Sequence, residues 1–313
     1  MEPALSPMDA FLRKLIAVED RGRDRLVGTV RYPPELQGPP QSGHGGGTTA
    51  ILFELARMLC GEAEERSRIP RPVRIDVTLH RAMPLETALS AEVVATEAGW
   101  RSRISREGRT IAEAEIRSDP GPLPGPPAAE RKAWEASLET AFPVPAYEYC
   151  LGCGLKNPRG AQVRFDYNDA WMWKRLIPQA HFRSADGTLV PGYHAIVGDE
   201  LGWWLGAVQQ GECGLSSRLS LTLGPAIPHG TPLIAVGSRR ALTTDDPKGR
   251  IWQVPVTILT EEWQPVAAAE VRFAGSRAFT RMMLPRFLWD ADRTALHRAF
   301  PRYRHEFGTG GES

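Results

Sequence analysis

Apolar and polar residues alternate in two stretches of the chain that match each other without a gap. Residues 73–87 and 217–231 stand at one offset (218 − 74 = 144), and they agree at six positions. Alternation with a period of two is typical of a strand with one buried face. In both copies a proline and a polar turn lead into a second apolar run, so the pattern predicts a long antiparallel strand pair that occurs twice. The matched pairs are Arg74 and Arg218, Thr78 and Thr222, Leu79 and Leu223, Ala82 and Ala226, Pro84 and Pro228, and Thr87 and Thr231.

Each copy also contains a segment that is apolar almost all round. Residues 48–60 follow a glycine-rich loop at 38–47, and residues 193–208 take the same place in the second copy. Such a segment is typical of a helix that is buried on most of its surface. One long helix followed by strands that can pair as a meander predicts an α+β fold, in which the helix packs on an antiparallel sheet.

The rest of the chain divides around these two copies. An amphipathic segment near residues 8–18 predicts a short docking helix, and the Pro-rich and Gly-rich stretch 119–127 predicts a linker. A C-terminal helix is expected at 287–299, followed by a disordered tail at 308–313. The predicted parts are an N-terminal unit at 1–118, a linker with a short helix at 119–146, a C-terminal unit at 147–284, and a helix with a tail at 285–313.

The composition and charge of the chain argue against nucleic acid and membranes as binding partners. The 313 residues carry a formal net charge of +1 with both signs interspersed, which gives no electrostatic footprint for nucleic acid or for an anionic membrane surface. No apolar run reaches the roughly 18 residues of a membrane span, and the N-terminus lacks the order of a signal peptide. We therefore expect a soluble, cytoplasmic protein.

Four cysteines are too few for a disulfide framework in a chain of this size, and we expect free thiols. Cys150 and Cys153 have the spacing of a metal-binding pair, but a structural zinc site needs two further ligands and no second pair of this kind exists. His181 or Cys213 could complete such a site. Our expectation from the sequence is that no metal is bound.

Three short segments carry a resemblance to a known family. His44-Gly45-Gly46 stands before the first long helix, Asp199-Glu200 lies within the second, and the segment 150–160 reads Cys-Leu-Gly-Cys-Gly-Leu-Lys-Asn-Pro-Arg-Gly. With these segments the chain resembles the double hotdog proteins of the acyl-CoA thioesterase superfamily, phenylacetyl-CoA thioesterase type, over roughly residues 26–273.

The resemblance implies a tandem (double) hotdog, with two antiparallel sheets, each wrapped around a long central helix. It implies an acyl-CoA or acyl-carrier protein as substrate and no cofactor beyond the coenzyme A moiety of that substrate. A homodimer of double hotdogs is left open.

In that family an acidic residue stands nine positions after the His of the glycine loop. Counting nine from His44 reaches Phe53, with Glu54 one beyond, and counting nine back from Asp199 reaches Val190. Each half therefore keeps the motif that the other has lost. Because the family's site lies between two units, the resemblance implies one complete site, whose expected catalytic residues are His44, Gly45, Gly46, Asp199 and Ser217.

A second, degenerate site is expected where the symmetry would place it, with Glu54, Val73 and the turn at 192–194. The residues assigned to substrate binding across the two sites are Glu54, Gly192, Tyr193, His194 and Trp203.

Thioester hydrolysis needs a donor for the carbonyl oxygen and a base or nucleophile. Unpaired N–H groups of a glycine turn at a helix N-terminus can supply the donor, and Asp199 on an apolar helix can activate water or attack directly, with Ser217 positioning the water. A hotdog hydratase or dehydratase that uses His44 and Asp199 is an alternative. So is a binding protein that has lost catalysis, since each of these residues can also have a structural role.

Overall fold

The computed structural model describes residues 7–61, 69–118, 121–123, 125, 128–287, 291 and 293–307. The predicted tail at 308–313 and part of the linker at 119–127 lie outside the described residues.

The first half consists of a short helix, a long helix and a set of strands. The long helix starts at Gly45, inside the segment predicted as a loop at 38–47, because the His44 side chain accepts hydrogen bonds from the N–H groups of Gly46 and Gly47 and so caps its first turn. In chain order the elements are α1 (Met8–Lys14), β1 (Ile16–Arg21), β2 (Arg25–Arg31), α2 (Gly45–Cys60), β3 (Val73–Leu79), β4 (Ala88–Thr96), β5 (Gly99–Arg106) and β6 (Arg109–Ser118).

The second half repeats this order after a short helix that covers the outer face of the sheet with Trp134. Its long helix begins with a proline at its first position and ends at Gly211, which adopts the left-handed conformation (φ 68°) typical of a helix C-cap. The elements are α3 (Ala128–Glu135), β7 (Phe142–Pro143), β8 (Asp166–Tyr167), β9 (Trp171–Leu176), α4 (Pro191–Gln210), β10 (Gly214–Leu223), β11 (Leu233–Ser238), β12 (Ile251–Thr260), β13 (Pro265–Gly275), α5 (Arg277–Phe287) and α6 (Arg293–Ala299).

All strands belong to one 13-stranded sheet, in the order β1-β2-β4-β5-β6-β3-β10-β13-β12-β11-β9-β8-β7. The two copies of the repeated strand, β3 and β10, pair with each other antiparallel. Arg74 stands opposite Thr222 and Arg218 opposite Thr78, so the repeated residues pair reciprocally, as around a local twofold axis. The resemblance implied two antiparallel sheets, one around each long helix. They form one because each repeated strand lies at the edge of its half, and its unpaired N–H and C=O groups are satisfied by the other.

The two long helices pack on this sheet and on each other. The helices approach closely at their N-terminal ends: a Cβ atom added to Gly46 would lie 2.3 Å from the carbonyl oxygen of Ala195, and one added to Gly192 would lie 3.0 Å from Cβ of Ala50. This crossing brings the start of α2 against the middle of α4.

The C-terminal region differs from the prediction of one helix at 287–299. The structure has α5 and α6 instead, followed by a 3-10 segment at Pro301–Phe307. The earlier helix begins beside Ser276, whose hydroxyl accepts a hydrogen bond from the Phe279 N–H at 3.3 Å. Among the described helices, none combines the length and the apolarity that a membrane span requires.

Candidate active site

A cavity of about 310 Å³ lies where the two halves meet. The first half contributes the start of α2 and the end of β3, while the second contributes α4, the start of β10 and the segment around Cys150 and Cys153. Exposed residues such as Arg81 and Leu215 lie at its opening. The buried side chains of Trp204, Met283 and Phe287 form its apolar inner wall.

His44 and Asp199 come from opposite halves and meet in this cavity. The Nδ1 atom of His44 lies 3.3 Å from Oδ2 of Asp199, and both residues are only 4% exposed. A model with one site between the halves requires these side chains to be well within about 15 Å of each other, and the structure brings them into contact.

The Asp199 carboxylate is held at both oxygens. Gly46 donates its backbone N–H to Oδ2 at 2.8 Å, and the Ser216 hydroxyl donates to Oδ1 at 2.7 Å. Burial raises the pKa of Asp199 and outweighs the opposing effects of His44, Ser216 and Gly46, so its pKa is above the ordinary value for an aspartate. A buried carboxylate with a raised pKa is a stronger base than a surface one.

Gly45 has no side chain because Asp199 occupies the space where one would lie. A Cβ atom at this position would come within 2.7 Å of Oδ2 of Asp199. Among the described residues the Gly45 N–H has no hydrogen-bond partner, and Gly45 lines the cavity. This N–H stands at the first turn of α2, where the helix dipole is positive, and can donate to an oxygen that gains negative charge.

The serine that contacts Asp199 is Ser216, whereas the sequence pointed to its neighbour. Ser217 also lines the cavity, but its hydroxyl donates to the carbonyl oxygen of Arg272 at 3.2 Å. The pairing of β10 with β13 shifts register between Ser216 and Arg218. Such an irregularity breaks the alternation of side chains and redirects one of them, so Ser216 faces Asp199 while the role that the resemblance implies for Ser217 stays a prediction.

Glu200 forms a second cluster on the far side of the His44 ring. Its Oε2 atom lies 3.0 Å from Nε2 of His44 and accepts a hydrogen bond from the Cys150 thiol at 3.4 Å. Its Oε1 atom accepts from the Trp204 indole N–H at 2.9 Å. Burial raises the pKa of Glu200, but His44 and the thiols of Cys150 and Cys153 outweigh burial and lower it below the ordinary value.

His44 is consequently engaged at both ring nitrogens, since Nδ1 also accepts the Gly46 N–H at 3.0 Å. Burial lowers its pKa, but contacts with Cys150, Glu200 and Asp199 outweigh burial and raise the pKa well above the ordinary value for histidine. The ring therefore connects the Asp199 carboxylate to the cluster of Glu200 and cysteines.

The residues predicted to form a second site make other contacts in the structure. Glu54 makes ion pairs with Arg13 of α1 and, at 2.8 Å, with Arg57. The neighbouring space between α1, Glu54 and Gly192 measures about 10 Å³, about the size needed for one water molecule. Val73 is fully buried in the core. The structure thus places α1 where the symmetry of the two halves would put a second substrate.

Three of the residues assigned to substrate binding have separate environments. Tyr193 packs its ring 4.8 Å from that of Phe182, and His194 is buried, where burial and Arg71 lower its pKa to about 3. Trp203 lines the large cavity and donates its indole N–H to the Gly214 carbonyl at 2.8 Å.

The cysteine pair lies beside the site rather than beside the two residues that the sequence offered as further ligands. His181 contacts the carbonyl oxygen of Arg159 at 3.1 Å, and the backbone N–H of Cys213 donates to the Thr280 hydroxyl at 2.9 Å. Cys150 instead contacts Glu200. The sequence signal for this was the pair Asp199-Glu200 itself, because adjacent helix residues point in directions about 100° apart and can hold two sides of one ring.

No protein-family model matches this sequence, and no curated protein matches it either. Solved structures, by contrast, match 80–88% of the chain. The TesB protein of Mycobacterium avium subspecies paratuberculosis is 14% identical, with 85% of this chain and 99% of that chain covered and a TM-score of 0.53.

Two further structures match over a similar extent. A conserved protein with a hot dog fold from Alicyclobacillus acidocaldarius is 13% identical over 83% of this chain and 96% of its own, with a TM-score of 0.50. The dehydratase domain of PpsC from Mycobacterium tuberculosis is 16% identical over 84% and 98%, with a TM-score of 0.52. At such identities the likeness shows the fold alone, and the chain has a double hotdog fold.

Proposed function

We propose that this protein hydrolyses an acyl thioester at a single site between its two hotdog units. The observation that carries the proposal is the meeting of the His44-Gly45-Gly46 turn from one half with the Asp199 carboxylate from the other at one cavity with apolar walls. A hydrogen-bond donor for the carbonyl oxygen and a base beside it are what thioester hydrolysis requires.

In the proposed reaction the thioester carbonyl oxygen accepts the Gly45 N–H. Asp199 takes a proton from water, whose oxygen attacks the carbonyl carbon. The tetrahedral intermediate collapses with cleavage of the C–S bond, and the thiolate leaves with the proton that Asp199 held. Ser216 keeps Oδ1 of Asp199 engaged, so that Oδ2 faces the turn. The products are a carboxylic acid and a thiol.

Structures with this fold include proteins that carry thioesterase names and others named as dehydratase domains, so the fold supports both reaction classes. The contacts of His44 favour hydrolysis. A dehydratase base must have a ring nitrogen free to take a proton from the substrate, whereas Nδ1 accepts from Gly46 and Nε2 contacts Glu200. Hydration or dehydration of an enoyl thioester is kept as the second candidate because His44 and Asp199 are in contact.

The proposed substrate is an acyl-CoA or an acyl-carrier protein with a small or medium acyl group. A volume of about 310 Å³ is at the lower end of the range of roughly 300–1,000 Å³ for small-molecule pockets. The indole of Trp204 and the ring of Phe287 suit an apolar or aromatic acyl group, which binds by burial of its surface.

The test is thiol release from a panel of straight-chain and arylacetyl-CoA substrates, with each acyl group also presented on a carrier protein. Enoyl-CoA absorbance is followed in parallel to detect hydration. We expect thiol release that Asp199→Asn abolishes. Loss of the enoyl absorbance without thiol release would establish the second candidate, and saturable acyl-CoA binding without either reaction would identify a binding protein.

A further inference from the structure

The cluster on the far side of His44 has the composition and the spacing of a zinc site. Three donor atoms of different chemistry, from His44, Cys150 and Glu200, lie within 4.8 Å of one another. All three residues are buried. Cys153 is also buried and lines the same cavity, beside Cys150 and Glu200, although its sulfur is not within 4.8 Å of all three donors and would have to move toward them to act as a fourth ligand.

The distances between the donor atoms agree with tetrahedral coordination. Bond lengths of roughly 2.0–2.3 Å from zinc to nitrogen, oxygen and sulfur place the nitrogen about 3.4 Å from the oxygen and the oxygen about 3.6 Å from the sulfur. The corresponding distances are 3.0 Å from Nε2 of His44 to Oε2 of Glu200, and 3.4 Å from that oxygen to Sγ of Cys150. Both distances are shorter than the tetrahedral values, so these donors need to move apart slightly to accommodate the ion.

Neighbouring groups form hydrogen bonds with the donor residues and orient them, as the groups around a metal site orient its ligands. The Gly152 N–H donates to Sγ of Cys150 at 3.3 Å, and the Trp204 indole occupies Oε1 of Glu200, which leaves Oε2 for the ion. Binding of a metal at Nε2 of His44 requires the ring proton to move to Nδ1, which then donates to Oδ2 of Asp199, 3.3 Å away, and no longer accepts the Gly46 N–H. The Gly46 N–H keeps the Asp199 carboxylate as its acceptor. A carboxylate that accepts from the other nitrogen of a metal-bound histidine is a recurrent arrangement.

Gly152, between the two cysteines, leaves the space that the Glu200 carboxylate occupies in this cluster. A Cβ atom at Gly152 would lie 2.2 Å from Oε2 of Glu200, so any larger residue would displace the carboxylate. The backbone of the cysteine segment thereby approaches Glu200 as closely as coordination of one ion by both requires.

We propose that Cys150, Cys153, His44 and Glu200 bind one zinc ion. Four protein ligands close the coordination sphere, which is typical of a structural site. The ion ties the cysteine segment and the start of α2 to α4, and so holds the Gly45-Gly46 turn against Asp199. Binding exchanges two thiol protons, released to solvent, for the two zinc–sulfur bonds. This inference goes beyond the proposed hydrolysis, and its readouts are metal content and absorption, so either proposal can fail alone.

The experiment measures metal in protein purified under reducing conditions, supplied with zinc and dialysed. We expect one equivalent in the parent chain and in Cys60→Ser, a matched control at a half-buried cysteine outside the cluster, and less than a tenth of that in Cys150→Ser and Cys153→Ser. No retained zinc in the parent, or equal zinc in all four proteins, would overturn the proposal.

A second measurement on the parent chain does not depend on whether the variants fold. Cobalt is substituted for zinc, and thiolate-to-cobalt charge-transfer absorption is expected at one equivalent, with loss of two thiols from titration with a thiol reagent. Cobalt binding without that absorption, four titratable thiols in the zinc-loaded protein, or a Cys150–Cys153 disulfide in place of the metal would each contradict it.

Discussion

Gly46 donates its backbone N–H to the Asp199 carboxylate at 2.8 Å, and this hydrogen bond joins the glycine turn of the first hotdog unit to the acid of the second. Neither unit has both groups. Because α2 and α4 cross at this point, the glycine turn that only the first half has kept lies against the acid that only the second half has kept.

Asp199 is expected to be essential for hydrolysis. We predict that Asp199→Asn lowers kcat by at least about 10²- to 10³-fold, comparable to the loss of an oxyanion-hole donor, because an amide cannot take the proton from water. Thiol release under single-turnover conditions measures this, with Asp20→Asn on the exposed strand β1 as the control. A parent-like rate in Asp199→Asn would remove Asp199 from the mechanism.

Gly45 is expected to tolerate no side chain. In Gly45→Ala the new Cβ, 2.7 Å from Oδ2 of Asp199, pushes the carboxylate away from the turn. Misplacement of a reacting group by about 1 Å can cost about 10²-fold in rate, so we predict a fall of that order in kcat with a small change in KM. The matched control is Gly22→Ala, whose Cβ would meet its nearest atom at 3.7 Å. Equal kinetics in the two variants would refute the assignment.

The two serines at the start of β10 offer a direct comparison. Ser216→Ala removes the hydrogen bond to the Asp199 carboxylate, a bond to a charged group worth about 1.5–3 kcal/mol, which corresponds to roughly a ten- to hundredfold loss in kcat. Ser217→Ala removes a bond to a backbone carbonyl and should cost less. The role of Ser217 in positioning water stays a prediction. A larger loss of kcat in Ser217→Ala than in Ser216→Ala would support that role and contradict the importance given to the Ser216 hydrogen bond.

Met283 is expected to limit the size of the acyl group. Met283→Ala deepens the cavity, and the kcat/KM ratio of longer to shorter acyl substrates should rise about tenfold, near the lower end of the discrimination that one methylene gives. Removal of a buried Met side chain costs about 2–5 kcal/mol of stability, so the melting temperature is measured alongside. Met282→Ala, at a partly buried neighbour, is the control, and the same chain-length profile in both variants would place the acyl group elsewhere.

Local sequence patterns predicted the individual helices and strands, because each of these depends on residues that are close together in the chain. The repeated alternation of residues 73–87 and 217–231 predicted the strands β3, β4, β10 and β11, and the two apolar segments predicted α2 and α4. The predicted pairing within each copy is wrong: β3 pairs with β6 and β10 instead of β4, and β10 pairs with β13 and β3 instead of β11. The nine-residue spacing of the family motif indicated which half keeps the glycine turn and which keeps the acid. These properties depend on the spacing of residues within one element, which a sequence displays directly.

The tertiary structure decided what depends on how separate elements meet. The joining of β3 to β10 into one sheet, the redirection of Ser216 toward Asp199 and the position of Cys150 at Glu200 are contacts between residues far apart in the chain. Strand alternation cannot anticipate a shift in register, and cysteine spacing cannot show which other side chains complete a cluster. The sequence alone thus determined the duplicated architecture and its asymmetry, whereas the crossing of α2 and α4 decided which atoms form the site.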